Sequence, residues 1–330
     1  AYYTQFGKKI NKFSYLLGLR AETTNLQFNQ KTSQESNQKK YADVFPTVNL
    51  SYEFSNSENI TLGYSRRIRR PRSWSLNPFQ SITSLTFFRQ GNPDLDPSYS
   101  NSYDLGYLKR MKKFTFSGSL YFQKETDVIQ RITEETGEIV RVSENPIVDV
   151  PALRFTSINL SENIRKGTEF TLTYTPKRTV RLSGNFNLFN SETIGFHKGV
   201  NLGRTNLSWF SRINGKLTIF KKIDWQIQLF YRGPRETAQS KTKGMIFCST
   251  ALNKDIFKKN GTLSFRVRDL FNSAMYRSET FTPTFRNKVL FRRSLPSFNL
   301  SLTYRINQKT NQQIKGNQIR GGANEGSFGM

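Results

Sequence analysis

The feature that most constrains this chain is a two-residue alternation of apolar and polar side chains. In the segment 48–55 (VNLSYEFS) the even positions are apolar or aromatic and the odd positions are polar. A β-strand turns successive side chains to opposite faces, so such a segment has one apolar and one polar face. The sequence therefore predicts an all-β protein, because the same pattern recurs at 114–123, 170–174, 180–188, 225–229, 263–268 and 298–304.

The length of these segments points to a membrane. They run about ten residues or more, whereas soluble strands typically have about five or six and tilted membrane strands about nine to eleven. Apolar residues make up only 35% of the chain while aromatic residues make up 14%. This balance suits a wall one side chain thick, with lipid outside and water inside. We predict a transmembrane antiparallel β-barrel; a soluble β-sandwich is the alternative, with shorter strands and more aliphatic residues expected.

Short and long connections alternate along the chain. Bacterial barrels place short turns in the periplasm and long loops outside the cell. Short connections are predicted near 8–12, 56–59, 111–113, 176–179, 221–224 and 258–261. Long ones are predicted near 29–40, 71–97, 133–155, 191–203, 234–244 and 273–287. The alternation predicts 13 strands, of which the first and the last, at about 289–305, both descend towards the periplasm.

An odd strand number is informative for a barrel. Closed single-chain barrels of bacteria use an even number, and unpaired strand edges have no water to bond within lipid. We therefore expect further strands before Ala1, with residues 1–306 forming a C-terminal portion of the barrel. Residues 307–330 are rich in Gln, Asn and Gly and are predicted to be a flexible polar tail in the periplasm. A partner-binding tail is the other interpretation.

The net charge of +26 would suggest nucleic acid in a soluble protein. Here the basic residues come mostly in pairs between the strand-like segments, as in Lys8-Lys9 and Lys112-Lys113, and form no single stripe. This distribution favours lipid head groups over a nucleic-acid partner. A lone Cys248 and a lone His197 exclude an intrachain disulfide and a histidine metal cluster, so no metal or cofactor is predicted.

No catalytic constellation is visible. His197 has no Ser or Cys nucleophile nearby in the sequence, and Glu134 and Glu135 are interpreted as a solvated loop pair. We predict that the protein is not an enzyme, although outer-membrane hydrolases built on barrels keep a loop-borne active site open.

The segment 90–107 (QGNPDLDPSYSNSYDLGY) carries a family resemblance. It resembles the Gly-Asn-Pro-x-Leu-x-Pro-Glu…Ser-x-x-Glu-Leu-Gly-Tyr segment of TonB-dependent receptors, which ends a long outer loop and enters a descending strand. Ser98 and Asp104 stand where glutamates are usual. The matching residues with a predicted structural role are Asn92, Pro93, Leu95 and Pro97.

Four further blocks support the resemblance. Segments 41–52, 64–79, 126–131 and 267–272 are similar, in order, to motifs of the outer membrane β-barrel family of Bacteroidetes receptors. The last block, Val267-Arg268-Asp269-Leu270-Phe271-Asn272, resembles a segment near the C-terminus of these barrels. Its predicted structural residues are Asp269, Phe271 and Asn272.

The resemblance implies a barrel of about 22 strands with a plugged lumen, of which this chain supplies the last 13. It also implies import of a scarce nutrient (a metal chelate, glycan or peptide) with energy from the inner-membrane TonB complex. The plug and the TonB box would precede the barrel and lie outside this sequence. Other implied partners are outer-membrane lipid, lipopolysaccharide and a surface lipoprotein. The alternative is a structural or assembly barrel that transports nothing.

Family members bind cargo between the plug and the outer loops, which points to a basic run at 66–74. The candidate ligand-binding residues are Arg66, Arg67, Arg69, Arg70 and Trp74, together with Arg72. Guanidinium groups bind phosphate or carboxylate through paired hydrogen bonds. The alternative is that they bind lipopolysaccharide phosphates or hold the loop through carboxylates. Polar positions predicted to face the lumen are Arg181, Asn185, Asn187, Arg266 and Arg268, and an aromatic girdle is predicted at Tyr52, Phe114, Tyr174, Trp225 and Tyr304.

Overall fold

The computed structural model describes residues 1–29, 36–220, 222–282, 285–292 and 295–306, so the predicted tail 307–330 lies outside the described residues. The strands, in chain order, are β1 Tyr2–Ile10, β2 Phe13–Asn29, β3 Ser36–Ser55, β4 Glu58–Arg69, β5 Ser81–Ser84, β6 Phe87–Arg89, β7 Ser98–Arg110, β8 Phe114–Glu144, β9 Ile147–Lys177, β10 Val180–Ile194, β11 Phe196–His197, β12 Val200–Asn201, β13 Arg204–Ile219, β14 Ile223–Arg232, β15 Arg235–Glu236, β16 Ser240–Thr242, β17 Met245–Ile256, β18 Gly261–Arg268, β19 Met275–Phe281, β20 Arg286–Arg292 and β21 Ser297–Tyr304.

Helix is confined to two short pieces within these ranges. They are the four-residue helix α1, Ser73–Leu76, and a 3-10 turn at Phe257–Lys259. Across the described ranges the structure has no helix with the length and apolarity that crossing a membrane requires.

Thirteen strands form the wall of the molecule in the described residues. They pair antiparallel in the order β1, β2, β3, β4, β7, β8, β9, β10, β13, β14, β17, β18 and β21, as the sequence predicts. The connections at one end are two to four residues long, and all six lie at the predicted short turns. Among the described strands β1 and β21 each pair with one neighbour only, so the wall that these residues form is an open sheet.

The two faces of the wall differ sharply. Residues directly opposite each other in neighbouring strands share a face. One such row across six strands is apolar and consists of Val180, Leu217, Trp225, Leu252, Phe265 and Leu300. The adjacent row on the other face is largely polar and consists of Arg181, Lys216, Gln226, Ala251, Arg266 and Asn299. The alternation seen in the sequence therefore separates a lipid-facing side from a lumen-facing side.

The apolar face is exposed, as a lipid-facing belt requires. A second row, Leu50, Leu62, Leu105 and Leu120, runs across β3, β4, β7 and β8, and Leu120 is 58% exposed. The prediction that these rows point outward and do not pack into a core is thus confirmed. Aromatic side chains lie close to the short turns, where Phe114 stacks on Tyr174 with 4.4 Å between ring centres.

Two predicted boundaries are wrong. The segment 133–155 is not an unpaired loop, because β8 and β9 are each 31 residues long and stay paired out to Glu144 and Ile147. Apolar and β-branched residues continue the strands there, and Val140 pairs directly with Val150. The turn-forming and charged residues of 133–155 suggested a loop. The β-propensity of the apolar residues between them instead extends the β8–β9 hairpin well beyond the neighbouring strands of the wall.

The last wall strand begins at Ser297 and not at about 289. Residues 286–292 form β20, which leaves the wall and pairs with β19. Together with β15 and β16 these strands make a separate four-stranded sheet in the order β15, β16, β19 and β20, which we call the outer sheet. Pro296 has no backbone N–H to donate, so it marks the boundary between β20 and the true wall strand.

A small apolar core lies outside the belt, where the long β8–β9 hairpin meets the loops that follow it. Its buried members are Val128, Ile132, Ile158, Leu160, Leu202 and Ala238. Buried apolar contacts stabilise this end of the molecule.

Candidate functional site

The long loop 71–97 is a folded structure that is held against the β8–β9 hairpin. The Gly91 N–H donates to the carbonyl oxygen of Asn77 over 2.7 Å, and the Asn92 N–H donates to the carbonyl of Ser75 over 2.7 Å. A Cβ at Gly91 would lie 2.5 Å from the Asn77 oxygen, so only glycine permits this approach. The Gln90 N–H then donates to the carbonyl of Phe155 in β9. These bonds fix the position of α1 and Trp74.

Four arginines come together where this loop meets the hairpin: Arg69, Arg72, Arg89 and Arg131, which we call the arginine cluster. The guanidinium carbon of Arg131 lies 4.5 Å from the centre of the Trp74 ring. Burial lowers the pKa of Arg131, and the positive charges of Arg72, Arg89 and Arg69 lower it further. The positively charged guanidiniums of the arginine cluster are thus close enough to repel one another, and Arg131 among them is partly buried.

Little of this charge is neutralised within the described residues. Arg69 forms an ion pair with Glu125 at 2.9 Å. The described chain gives Arg72, Arg89 and Arg131 no ion pair, and the guanidinium of Arg89 instead lies over the Phe155 ring at 5.6 Å. Unpaired guanidiniums beside aromatic rings attract an anion, because an anion would relieve their mutual repulsion and accept charge-assisted hydrogen bonds.

A polar cavity of 460 Å³ on the lumen face adjoins the arginine cluster, and we call it the inner groove. It shares Arg69 with the cluster. Its polar lining comes from facing positions of β4, β7, β8 and β9 and comprises Arg67, Ser98, Ser100, Ser102, Asp104, Tyr121, Gln123, Glu125, Asn163 and Arg165. A ligand at the cluster would therefore have a polar path towards the lumen.

The predicted run of arginines does not converge on one site. Successive residues of β4 point to opposite faces, so Arg67 and Arg69 line the inner groove while Arg66 does not. The guanidinium of Arg66 lies 5.4 Å from the centre of the Tyr99 ring. Arg70 donates to the carboxylate of Glu22 over 2.7 Å, so it holds the loop through a carboxylate. Of the predicted residues, the structure places Arg69, Arg72 and Trp74 together.

Sequence reasoning missed two members of the arginine cluster. Arg89 lies in the loop just before the 90–107 motif, and Arg131 ends the 126–131 block that resembles a strand exit. A signal was present for Arg131, since this block lies just beyond the point where β8 stops pairing with β7. The contact with Trp74 depends on how the loop folds over the hairpin, and local sequence does not report that.

Glu134 is wrongly predicted as a solvated residue. Its carboxylate accepts from the Lys198 ammonium at 2.9 Å, lies 3.2 Å from Nε2 of His197, and pairs with Arg154. Burial alone would raise the pKa of Glu134, but hydrogen bonds from Arg154, Lys198 and His197 outweigh it and lower the pKa to about 2. This carboxylate ties the β11–β12 hairpin to the β8–β9 hairpin.

Residues of the 90–107 motif close the loop before β7. The Asn92 side chain accepts from the Asp94 N–H over 2.9 Å and donates to the Ser157 carbonyl over 3.3 Å. Leu95 is 1% exposed and Pro97 is also buried, while Pro93 lies in the turn between Asn92 and Leu95. The two prolines lie outside any ladder and come before pairing begins at Ser98.

The second motif forms a compact turn after β18. Asp269 is fully buried, has a positive φ of 53°, and its carboxylate accepts from the N–H groups of Ser273 and Ala274 at 3.0–3.2 Å. The Asn272 N–H donates to the Asp269 carbonyl over 2.8 Å. Phe271 is exposed. Asp269 thus satisfies the backbone of the turn that leads into the outer sheet.

The predicted lumen positions lie on the polar face. Arg181, Arg266 and Arg268 line a larger open cavity of 650 Å³. Asn185 and Asn187 both donate to the carboxylate of Glu169, at 2.7 and 3.3 Å. In the part of the chain that the structure describes, no group of three or more His, Cys, Asp or Glu side chains is placed to hold a metal ion.

This geometry is that of an outer-membrane barrel wall, and comparison with known proteins identifies the class. The model of the outer membrane protein beta-barrel family matches residues 1–304, so the chain belongs to that family. The family predicted from the sequence motifs is confirmed, and the protein resides in the bacterial outer membrane. No curated protein sequence matches the chain.

Several solved structures with a similar fold are named as receptors or transporters. The FrpB iron transporter from Neisseria meningitidis has a TM-score of 0.59 and 10% identity, with 92% of this chain and 44% of FrpB covered. The ferric yersiniabactin uptake receptor FyuA from Yersinia pestis has a TM-score of 0.58 and 13% identity, with 91% and 44% covered. The siderophore receptor PirA from Acinetobacter baumannii has a TM-score of 0.52 and 14% identity, with 82% and 41% covered. The chain thus spans less than half the length of these proteins.

Proposed function

We propose that this chain is part of the barrel of an outer-membrane receptor that imports an anionic nutrient. The single observation that carries the proposal is the arginine cluster, in which Arg72, Arg89 and Arg131 have no ion pair within the described residues. Keeping such charges close together is costly unless an anion binds there. Lipopolysaccharide phosphate is a weaker explanation, because the cluster adjoins the polar lumen side and not the apolar belt.

A metal chelate is the cargo that we favour over a glycan or a peptide. Anionic chelates present several oxygen acceptors at once, which suits a set of guanidiniums with an aromatic platform such as Trp74. The names of the similar structures, which refer to siderophores and iron, support the same choice.

The proposal includes energy coupling through parts outside this sequence. A plug inside the completed barrel would contact the TonB complex of the inner membrane, and a surface lipoprotein is a further proposed partner. The family resemblance of the 90–107 motif supports this assignment, as does the wide polar face, which offers Arg181, Arg266 and Arg268 to a neighbouring surface.

Growth of a deletion strain tests the function. The strain receives either an anionic or a neutral iron chelate as its sole iron source. It is complemented with the full-length wild-type gene, with the double variant Arg72→Ala/Arg131→Ala, or with the single variant Arg178→Ala. Arg178 lies in a periplasmic turn and provides the control for loss of charge. We expect loss of growth on an anionic chelate in the deletion and in the double variant, and growth with Arg178→Ala. Disruption of the TonB complex should give the same loss.

A structural or assembly barrel is the competing function. It predicts that the deletion strain grows on every iron and carbon source offered while its envelope integrity or surface composition changes. That result would contradict import and favour the assembly role.

A further inference from the structure

The outer sheet has a free edge within the described residues. Strand β20 pairs with β19 on one side, and no strand of the described ranges pairs with its other side. All seven residues of β20 are exposed, and Leu290 is 68% exposed. A long, exposed edge with unpaired backbone groups is a template for another strand.

The hydrogen bonds of β19 identify which backbone groups of β20 are unpaired. The carbonyl of Arg277 accepts from the Lys243 N–H, and the N–H of Phe281 donates to the Gln239 carbonyl, so odd residues of β19 bond towards β16. Even residues of β19 therefore bond to β20, where their partners are Asn287, Val289 and Phe291. The N–H and C=O groups of Arg286, Lys288, Leu290 and Arg292 point to the free edge.

The charge of the outer sheet restricts what can pair with this edge. Its four strands contain six basic and two acidic residues. Both acidic residues are already in ion pairs, Glu236 with Lys241 and Glu279 with Arg286. Lys288 lies opposite Glu279 in the register, but among the described residues it forms no ion pair, while Glu279 pairs with Arg286. An incoming strand that carries carboxylates would supply the missing negative charge.

A second copy of this chain is a poor occupant. Pairing β20 with β20 would place arginine and lysine side chains opposite one another, and like charges directly opposite are destabilising in a sheet. The same basic residues therefore oppose self-association and select an acidic strand.

We propose that β20 is a docking strand for an extended acidic segment of a partner protein, which adds to the outer sheet by backbone pairing. The side chains of Arg286, Lys288, Leu290 and Arg292 share one face, because they alternate along the strand. The incoming segment carries acidic residues opposite Arg292, Lys288 and Arg286 and an apolar residue opposite Leu290. Read from its N-terminus in an antiparallel pair, every second residue of the segment is therefore acidic, apolar, acidic and acidic.

Synthetic peptides test this pairing on the full-length protein in detergent. The probe is a fluorescent peptide of sequence Glu-Thr-Val-Thr-Glu-Thr-Glu, whose binding is followed by anisotropy. Two N-methylated forms of identical charge serve as a matched pair. Methylation at the Glu and Val nitrogens removes the N–H groups that face β20, whereas methylation at the threonines removes those that face away. We expect the first form to bind at least about tenfold more weakly and the second to bind like the parent.

Variants of the strand complete the test. Leu290→Pro removes an outward N–H and should weaken binding about tenfold, while Leu290→Ala keeps the backbone and should bind nearly as well. Lys288→Ala should weaken binding by a smaller factor. Hydrogen exchange in β19 shows whether the hairpin survives the proline. Equal binding of both methylated peptides would overturn the proposal. So would a protein that does not bind the parent peptide but binds lipid A vesicles and loses that binding in Lys288→Ala.

Discussion

The guanidinium of Arg131 stacks over the indole of Trp74, 4.5 Å from the ring centre, although the two residues belong to separate segments of the chain. Trp74 stands on α1 of the 71–97 loop and Arg131 on the extended part of β8. A cation over an aromatic face gains roughly 0.5–1 kcal/mol at an exposed site. The ring therefore positions this arginine while leaving its N–H groups available.

Replacing Trp74 tests this positioning. With Trp74→Ala we expect roughly two- to fivefold weaker binding of an anionic iron chelate, because the lost energy corresponds to that factor. Trp74→Phe keeps an aromatic face and should recover most of the affinity. Binding is measured by titration of the full-length protein in detergent. Equal affinity of the Ala and Phe variants would show that the stack has no part in binding.

Arg69 and Arg66 differ by three positions in β4 and should differ in function. Arg69→Ala removes a residue of both the arginine cluster and the inner groove and should weaken binding of an anionic chelate by about tenfold. Arg66→Ala removes a guanidinium that stacks on Tyr99 outside the groove and should leave binding nearly unchanged. The same titration measures both. A larger effect of Arg66→Ala would favour the interpretation of 66–72 as a single site.

Glu134 gives a pH prediction. Its pKa is about 2 in the folded protein and its ordinary value is 4.5. A carboxyl with a lowered folded pKa adds stability above the ordinary value, and this contribution disappears as the pH falls from about 4.5 to about 2. The β11–β12 hairpin should therefore loosen over that range of pH.

A fluorophore on Val200→Cys, in β12, measures this change by its anisotropy, since Cys248 is buried. The wild-type hairpin should become mobile between pH 4.5 and pH 2. Glu134→Gln should be mobile already at pH 7, because the amide does not bind Arg154 and Lys198 as ions. If the anisotropy of the variant at pH 7 were as high as that of the wild type, other contacts would hold the hairpin.

The wall was predictable from the sequence because its physics is local. Alternation at every second residue, as in 48–55, defines which face meets lipid, and paired lysines such as Lys112-Lys113 mark the short turns. Together with the polar turn at 56–59, which has no basic pair, these signals gave the strand number and all six turns. In such a wall the register of each strand is defined by pairing with its neighbours in the hairpins, so packing between residues distant in sequence is not needed.

The candidate site was only partly predictable because it depends on contacts distant in sequence. Arg131 meets Trp74, and Glu134 meets His197, through the folding of separate loops over one hairpin. The split between Arg67 and Arg66 was accessible, since a strand that continues through a basic run must alternate its faces. The extension of β8 to Glu144 was not, because charged and turn-forming residues there concealed the β-propensity of Val140 and its neighbours.

Asp269 should be needed for the turn after β18. Its buried carboxylate accepts three hydrogen bonds from the N–H groups of Ser273 and Ala274. Asp269→Ala leaves these donors without a partner, which costs about 1–3 kcal/mol for each buried group. We expect faster hydrogen exchange at residues 270–275, whereas Asp269→Asn keeps one acceptor oxygen and should have a smaller effect. Unchanged exchange in Asp269→Ala would mean that water replaces the carboxylate.

The neighbouring residues Ile213 and Asn214 provide the sharpest test of the membrane wall. Ile213 lies opposite Leu229 on the apolar face, and Asn214 lines the larger cavity on the polar face. Arginine on the lipid side near the middle of a bilayer costs about 2–4 kcal/mol, whereas an arginine that points into a hydrated lumen keeps its water. Ile213→Arg should therefore lower the free energy of unfolding in lipid vesicles by about that amount, and Asn214→Arg should change it little. Guanidinium titration followed by tryptophan fluorescence gives both values. If the two variants were equally stable, the apolar rows would not be facing hydrocarbon, and the assignment of the two faces would be wrong.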